Sequence, residues 1–188
     1  DVERTTCQID LEDVARLLKT NLRPAAVVAV CWSGWVPDLT RLRALCDTFQ
    51  IPLILDAAPA YGATWRGRPV HEYADITCYS FGPTKHLYAG DGGALLTHPR
   101  WAERARRLAW FGMRRGREGD EQYACDQDIA VLGYKWYMTN LSAAIGLASL
   151  NTVPEALHEA RVNACQYDAV VGRHTPAFVQ PSPFLYTV

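Results

Sequence analysis

The run Leu53, Ile54, Leu55 is short, wholly apolar and entered from Pro52, and Asp56 follows it directly. A run of this kind suits a strand buried on both faces of a parallel sheet, which puts Asp56 at the strand's carboxyl end. Open α/β sheets bind their ligands at that end. A second apolar run, from Asp75 to Phe81, reads as another buried strand and leaves Ser80 close to its carboxyl end. Lys85 follows in a turn begun by Gly82 and Pro83.

The surrounding sequence alternates between the two periodicities. Asp10 is placed to cap a helix whose apolar face carries Leu11, Val14, Leu17, Leu18 and Leu22, with Glu12 and Asp13 in its first turn. A strand is expected from about Ala25 to Trp32. Asp38 then caps a helix with Leu39, Leu42, Leu45, Cys46 and Phe49 at helical spacing. Strands at 53–56, 75–81 and 93–97 continue the alternation and argue for a largely parallel sheet covered by helices. Pro99 opens a further helix bearing Trp101, Ala105 and Leu108. Periodicity is lost between Gly112 and Thr139, and two helices follow, from about Asn140 to Leu150 and from near Pro154 to about Val171. Ala143, Ala144, Gly146 and Ala148 let the first of these pack closely, between subunits or against the sheet.

Composition narrows the partners. With 188 residues, 49% hydrophobic and a formal net charge of −1, the chain can bury a sizeable core and has no overall attraction to nucleic acid or an anionic membrane. The six cysteines, at 7, 31, 46, 78, 125 and 165, form no C-x-x-C pair and read as reduced core thiols. His71, His86, His98, His158 and His174 lack metal-ligand spacing. GDGG is no complete dinucleotide fingerprint. No segment is long and apolar enough to span a membrane and no signal peptide opens the chain, so a reducing, cytoplasmic setting is expected.

Asp56, Ser80 and Lys85 together suit pyridoxal phosphate. That cofactor needs a lysine to hold its aldehyde as a Schiff base, a carboxylate beside the pyridine nitrogen, and hydroxyl or N–H donors for its phosphate. Taken singly, each residue has an ordinary reading: a solvated lysine, a turn or capping aspartate, a turn serine. Their order along the chain carries the signal.

The blocks PAAVVAVCWSGWVPDL, PLILDAAPAYGA, SFGPTKHL, GDGGALLT, LAWFGMRRG and LGYKWYMTNLSAAIGLASL occur in an order that resembles the DegT/DnrJ/StrS-type nucleotide-sugar aminotransferases. The resemblance implies a fold-type I, aspartate-aminotransferase-like large domain: a three-layer αβα sandwich with a mostly parallel sheet, present here as a fragment. It implies that Lys85 bonds the cofactor, Asp56 pairs with the pyridine nitrogen, Ala58 packs on the ring, Ser80 binds phosphate, and Lys135 reaches the phosphate from the partner subunit of a homodimer. The implied reaction moves an amino group, expected to come from glutamate, to a keto sugar on a nucleoside diphosphate. Residues 1–174 then form the later part of the large domain and 175–188 the start of a small one. Preceding and following segments are expected to complete the enzyme, and the fragment alone is expected to be inactive.

Some features depart from that pattern. Pro59 stands where the family usually has glutamine or histidine and supplies no side-chain donor. Cys31 stands where histidine is common. Some related dehydratases carry histidine at the lysine position, but counting from Ser80 puts Lys85 there and His86 one later, which favours amino transfer. A related sugar-modifying enzyme and a non-catalytic sensor or scaffold descended from the family are the alternatives. Arg114, Arg115 and Arg117 suit a diphosphate but are balanced by Glu118, Asp120 and Glu121, which favours a solvated charge run.

Overall fold

Asp10 starts the first helix as its place in the sequence implies: its carboxylate accepts from the N–H groups of Glu12 and Asp13, and α1 (Leu11–Leu18) follows. A computed structural model describes residues 1–21, 23–114, 129, 131–172, 175 and 179–183. The expectations for Leu22, Arg115, Arg117, Glu118, Asp120, Glu121, Cys125, His174 and the terminal stretch 184–188 lie outside the described residues. Leu11, Val14 and Leu18 are buried, whereas Leu17 is 39% exposed, so the apolar stripe of α1 is narrower than expected.

Strand β1 (Val27–Val30) is shorter than its apolar run. It ends because Ser33 and Gly34 take left-handed φ angles of 55° and 87°, which turn the chain away from the sheet. The carboxylate of Asp38 accepts from Arg41 N–H and caps α2 (Leu39–Thr48). Then come β2 (Leu53–Asp56), β3 (Thr64–Trp65), β4 (Arg68–Pro69), β5 (Ile76–Ser80) and β6 (Gly93–Thr97). Helices α3 (Pro99–Ala109), α4 (Asn140–Ser149) and α5 (Val153–Val171), and strand β7 (Val179–Gln180), complete the described elements.

The main sheet has the order β1-β2-β5-β6. β1, β2 and β5 are parallel, with Val30 opposite Asp56 and Asp56 opposite Cys78. The largely parallel sheet expected from the alternation has one antiparallel member: β6 runs antiparallel to β5, pairing Ser80 with Gly93. Residues 81–92 form turns and no helix, and without a crossover element the chain returns beside the strand it has just left. A small antiparallel sheet, β4-β3-β7, lies apart from this one in hydrogen bonding.

Alternation along the strands separates two faces. Val27, Ala29, Leu53 and Leu55 form one core with Leu11, Val14 and Leu18 of α1 and Leu39, Leu42 and Cys46 of α2. Val28 and Val30, on the opposite face with Asp56 and Cys78, are 57% and 40% exposed. A second cluster joins Leu87, Val153 and Leu157 to Tyr61 and Phe81, and so sets α5 against the loops that follow β2 and β5. Trp101, Ala105 and Leu108 on α3 are only half buried.

Asp75 ties the amino ends of the central strands together. Its N–H donates to Leu53 O, and its carboxylate accepts from Leu53 N at 2.9 Å, Arg43 Nη1 at 2.8 Å and Arg100 Nη2 at 3.5 Å. Burial works to raise its pKa, but the Leu53 N–H and the guanidinium groups of Arg43 and Arg100 outweigh it and hold the carboxyl below its ordinary value. Asp75→Ala in the complete protein is expected to lose about 1.5–3 kcal/mol at neutral pH, the usual range for hydrogen bonds to a charged group. The wild-type contribution is present above the ordinary carboxylate range and disappears as pH falls through the depressed value, so the stability gap should close in acid. Urea midpoints at a series of pH values measure it; equal midpoints at pH 7 would remove Asp75 from this role.

Candidate active site

The parallel ladder holds the backbone of Asp56 from both sides. Cys31 N donates to Asp56 O, and Ala57 N, the next residue along, donates to Cys78 O, both at 2.9 Å. The carboxylate folds back to accept from Ala58 N at 3.0 Å, and Ala60 N closes a tight turn onto Ala57 O at 2.8 Å, with Pro59 inside it. Two of the expected residues, Asp56 and Ala58, are thereby joined directly.

Ser80 lies two residues beyond Cys78, the pairing partner of Asp56, and so projects from the same face at the same end of the sheet. Its Oγ accepts from Gly82 N at 3.2 Å, and Lys85 N donates to Gly82 O at 3.1 Å, so the turn presenting Lys85 is built on Ser80. Downstream, Ala89 N donates to Phe81 O and Tyr88 N to Ser149 Oγ, which fastens the far side of the loop to α4. A Cβ on Gly93 would come within 2.3 Å of Tyr79 O, and glycine is what allows β6 to lie so close. Phe81 and Leu87, on either side of Lys85, sit in the second core, and Tyr61 meets Tyr79 edge-on at 5.6 Å.

Burial, with the Asp56 charge as a second cause, pushes the Cys31 and Cys78 thiols up. Tyr79 is pushed up to about 12 by burial, with Cys31 and Tyr61 adding to it. No group of three or more histidine, cysteine, aspartate or glutamate side chains suited to a metal ion occurs among the described residues.

The architecture and this arrangement of strand ends recur in known proteins. The family model for the DegT/DnrJ/EryC1/StrS aminotransferase family matches residues 1–182. The chain belongs to this family. Over 162 residues it is 33% identical to the GDP-perosamine synthase of Vibrio cholerae, covering 86% of this chain and 41% of that one. Over 176 residues it is 30% identical to the dTDP-4-dehydro-2,3,6-trideoxy-D-glucose 4-aminotransferase of Saccharopolyspora spinosa, covering 91% and 45%. The crystal structure of the sugar aminotransferase CalS13 from Micromonospora echinospora superposes with a TM-score of 0.87 at 31% identity, over 99% of this chain and 53% of that one. The chain thus spans less than half the length of these two curated relatives. The likeness extends over the mixed sheet and its helices, so the α/β fold expected from the sequence is the fold of the family.

Lys135 lies on another part of this family fold, bridged to Trp110 past the end of α3, with its ammonium 5.3 Å from the centre of the Tyr137 ring. Arg114 lies 4.0 Å from Glu103. Sequence reasoning missed the contact between His86 and Ser182, 3.2 Å apart across 96 positions, because no local pattern marks a pair so distant. It also treated the cysteines as one group. Cys31 and Cys46 are buried, but Cys7 and Cys165 are exposed, and all four are free thiols. Brief alkylation of the native protein near pH 8 should therefore label Cys7 and Cys165 and reach Cys31 and Cys46 only after unfolding. Native labelling of Cys31 at the rate of Cys165, read by peptide mass spectrometry, would contradict the buried strand end described above.

Proposed function

We propose that this chain is the central part of a pyridoxal phosphate-dependent aminotransferase that transfers an amino group from glutamate to a keto sugar carried on a nucleoside diphosphate. The observation that carries the reading is the meeting of Asp56 and the Lys85 turn at neighbouring strand ends, in a family whose relatives are named as sugar aminotransferases. The residues fit the cofactor. Ser80 Oγ uses a lone pair on Gly82 N–H, which leaves its own proton for a phosphate oxygen. Asp56 has a carboxylate oxygen beyond the one engaged by Ala58 N–H, and this is the group to face a protonated ring nitrogen. Ala58, small and half buried, offers a flat contact for a ring.

When bound, pyridoxal phosphate supplies an aldehyde for amino groups and a ring that accepts electrons. Lys85 Nζ would hold the cofactor and, when free, would take up and return a proton as a positioned base and acid. The Asp56 carboxylate would lie beside the ring nitrogen and face a positive charge there. Pro59 contributes no side-chain donor, so Asp56, Ser80 and Lys85 carry the recognition in this part of the site.

A homodimer is part of the same reading. Leu132, Trp136, Leu141 and Leu147 are between 68% and 81% exposed, and the Tyr134 and Trp136 rings stack at 4.2 Å beside Lys135. Exposed apolar side chains flanking Lys135 in the chain, and others on α4, suit burial against a second copy, with Lys135 entering the partner's phosphate region. Residues 1–174 are assigned to the large domain and 175–188 to the start of the small one. No described helix is long and apolar enough to cross a membrane, which accords with the cytoplasmic setting of this proposal.

Two experiments test the reading. Borohydride treatment of the complete protein loaded with pyridoxal phosphate should leave the added mass on the peptide containing Lys85, and Lys85→Ala should abolish it. Label on another lysine would remove Lys85 from its role. Separately, Lys85→Ala and Lys135→Ala chains, each nearly inactive as homodimers, should regain activity when unfolded and reassembled together, approaching about a quarter of wild type under random pairing, because one site of each mixed dimer is intact. Absence of recovery despite demonstrated mixed dimers would confine Lys135 to its own chain.

A further inference from the structure

Pro181, Ser182 and Pro183 are buried, and Ser182 is completely withdrawn from solvent. Ser182 N donates to Gly34 O at 3.0 Å, and its hydroxyl lies 3.2 Å from His86 Nδ1. Arg161 of α5 donates to Pro181 O at 3.0 Å and to Gly62 O at 2.9 Å. The fit is close: a Cβ on Gly34 would lie 1.8 Å from Ser182 O and 3.0 Å from Pro59 O. This short strap therefore meets the loop after β1 at Gly34 and the loop after β5 at His86, and through Arg161 it shares a donor with the loop after β2. The three parallel strands converge on it at their carboxyl ends.

His86 follows Lys85 directly. Burial disfavours its cation, a hydrogen bond to the Pro183 backbone opposes that effect, and the charges of Arg161 and Lys85 add to it, with the net result below the ordinary histidine value. At neutral pH the ring is uncharged, and an uncharged imidazole has one nitrogen to donate and one to accept, which suits a site offering both a hydroxyl and a backbone carbonyl. Within the turn itself bonds run from Gly82 to Ser80 and from Lys85 to Gly82, and just beyond it Tyr88 N donates to Ser149 Oγ of α4. The strap adds a polar tie, across 96 positions, to the side chain next to the lysine.

We propose that the contact between His86 and Ser182 is a latch through which the Pro181–Pro183 strap holds the turn that presents Lys85, so that His86 and Ser182 are positioning residues for that lysine. The latch stands on geometry alone; its effect on turnover rests on the assignment of Lys85 under the proposed function. Loosening the turn spreads Lys85 over more orientations and slows proton transfer without removing any group that binds substrate.

The test uses amide hydrogen exchange of the complete protein without cofactor, comparing wild type with His86→Ala, Ser182→Ala, the double alanine variant and His86→Gln. Exchange over residues 84–88 should rise about tenfold in either single alanine variant, the scale of one ordinary hydrogen bond, and no further in the double variant. His86→Gln, which keeps a donor and an acceptor, should restore most of the protection. Amides of α1 and α2 should not change. In the wild type the protection should fall as pH drops below the ordinary histidine range, and His86→Gln, which has no ring to protonate, should be flat there; Arg161 and Lys85 are the charged groups bearing on the ring. In turnover the alanine variants should lose kcat with little change in KM. Unchanged exchange at 84–88, additive effects in the double variant, no rescue by glutamine, or a rise spread equally over α1 and α2 would each overturn the latch. Borohydride labelling separates the two readings: exchange as expected with no label on Lys85 leaves the latch standing and removes the proposed function, whereas label on Lys85 with unmoved exchange removes only the latch.

Discussion

The position of Asp56 is set by backbone hydrogen bonds before any side chain is considered. Its carbonyl accepts from Cys31 N, and the N–H of the residue after it donates to Cys78 O, so strands on both sides hold this point of β2. Every further feature of the site is referred to that clamp. Moving the register of β2 by one residue would turn the carboxylate into the core and bring Leu55 out to the open face, a change opposed by the whole buried set of Leu53, Leu55, Leu39 and Leu42. The core facing α1 and α2 thus also determines which way the acid points.

Two different kinds of support meet at the Lys85 loop. Apolar support comes from below, where Phe81 and Leu87 join Val153 and Leu157, and Gly146 of α4 approaches Ala89 closely enough that a Cβ there would lie 3.3 Å from it. Polar support is directional and comes from Ser80, Ser149 and Ser182. Packing alone resists displacement of the loop but tolerates rotation of a turn, whereas hydrogen bonds at defined angles restrict rotation. Both act on the loop that carries Lys85.

What could be read from the sequence was what depends on local pattern. Asp10, Asp38 and Pro99 start their helices where capping chemistry places them, and β2 and β6 have the bounds expected from their apolar runs. Asp56, Ser80 and Lys85 were visible as candidates because each follows or ends such a run. The direction of β6 was not visible, since a strand pattern is the same in either sense and only the absence of a crossover decides it. Leu17 was assigned to the core because leucine at helical spacing counts equally wherever the partner surface happens to end. The contact of His86 with Ser182 was hidden because serine between two prolines has an adequate local explanation as a turn, and nothing in either segment refers to the other.

The order in which the chain leaves the ribosome gives that separation a meaning in time. The core of α1, β1, α2, β2 and β5 is drawn from roughly the first eighty residues and depends on short loops, which favours early collapse. Ser182 emerges 96 residues after His86. The Ser182 contact of the loop that carries Lys85 can therefore form only after the residues of the main sheet have all been made. Synthesis itself thus separates the making of the scaffold from the fastening of the loop that carries Lys85.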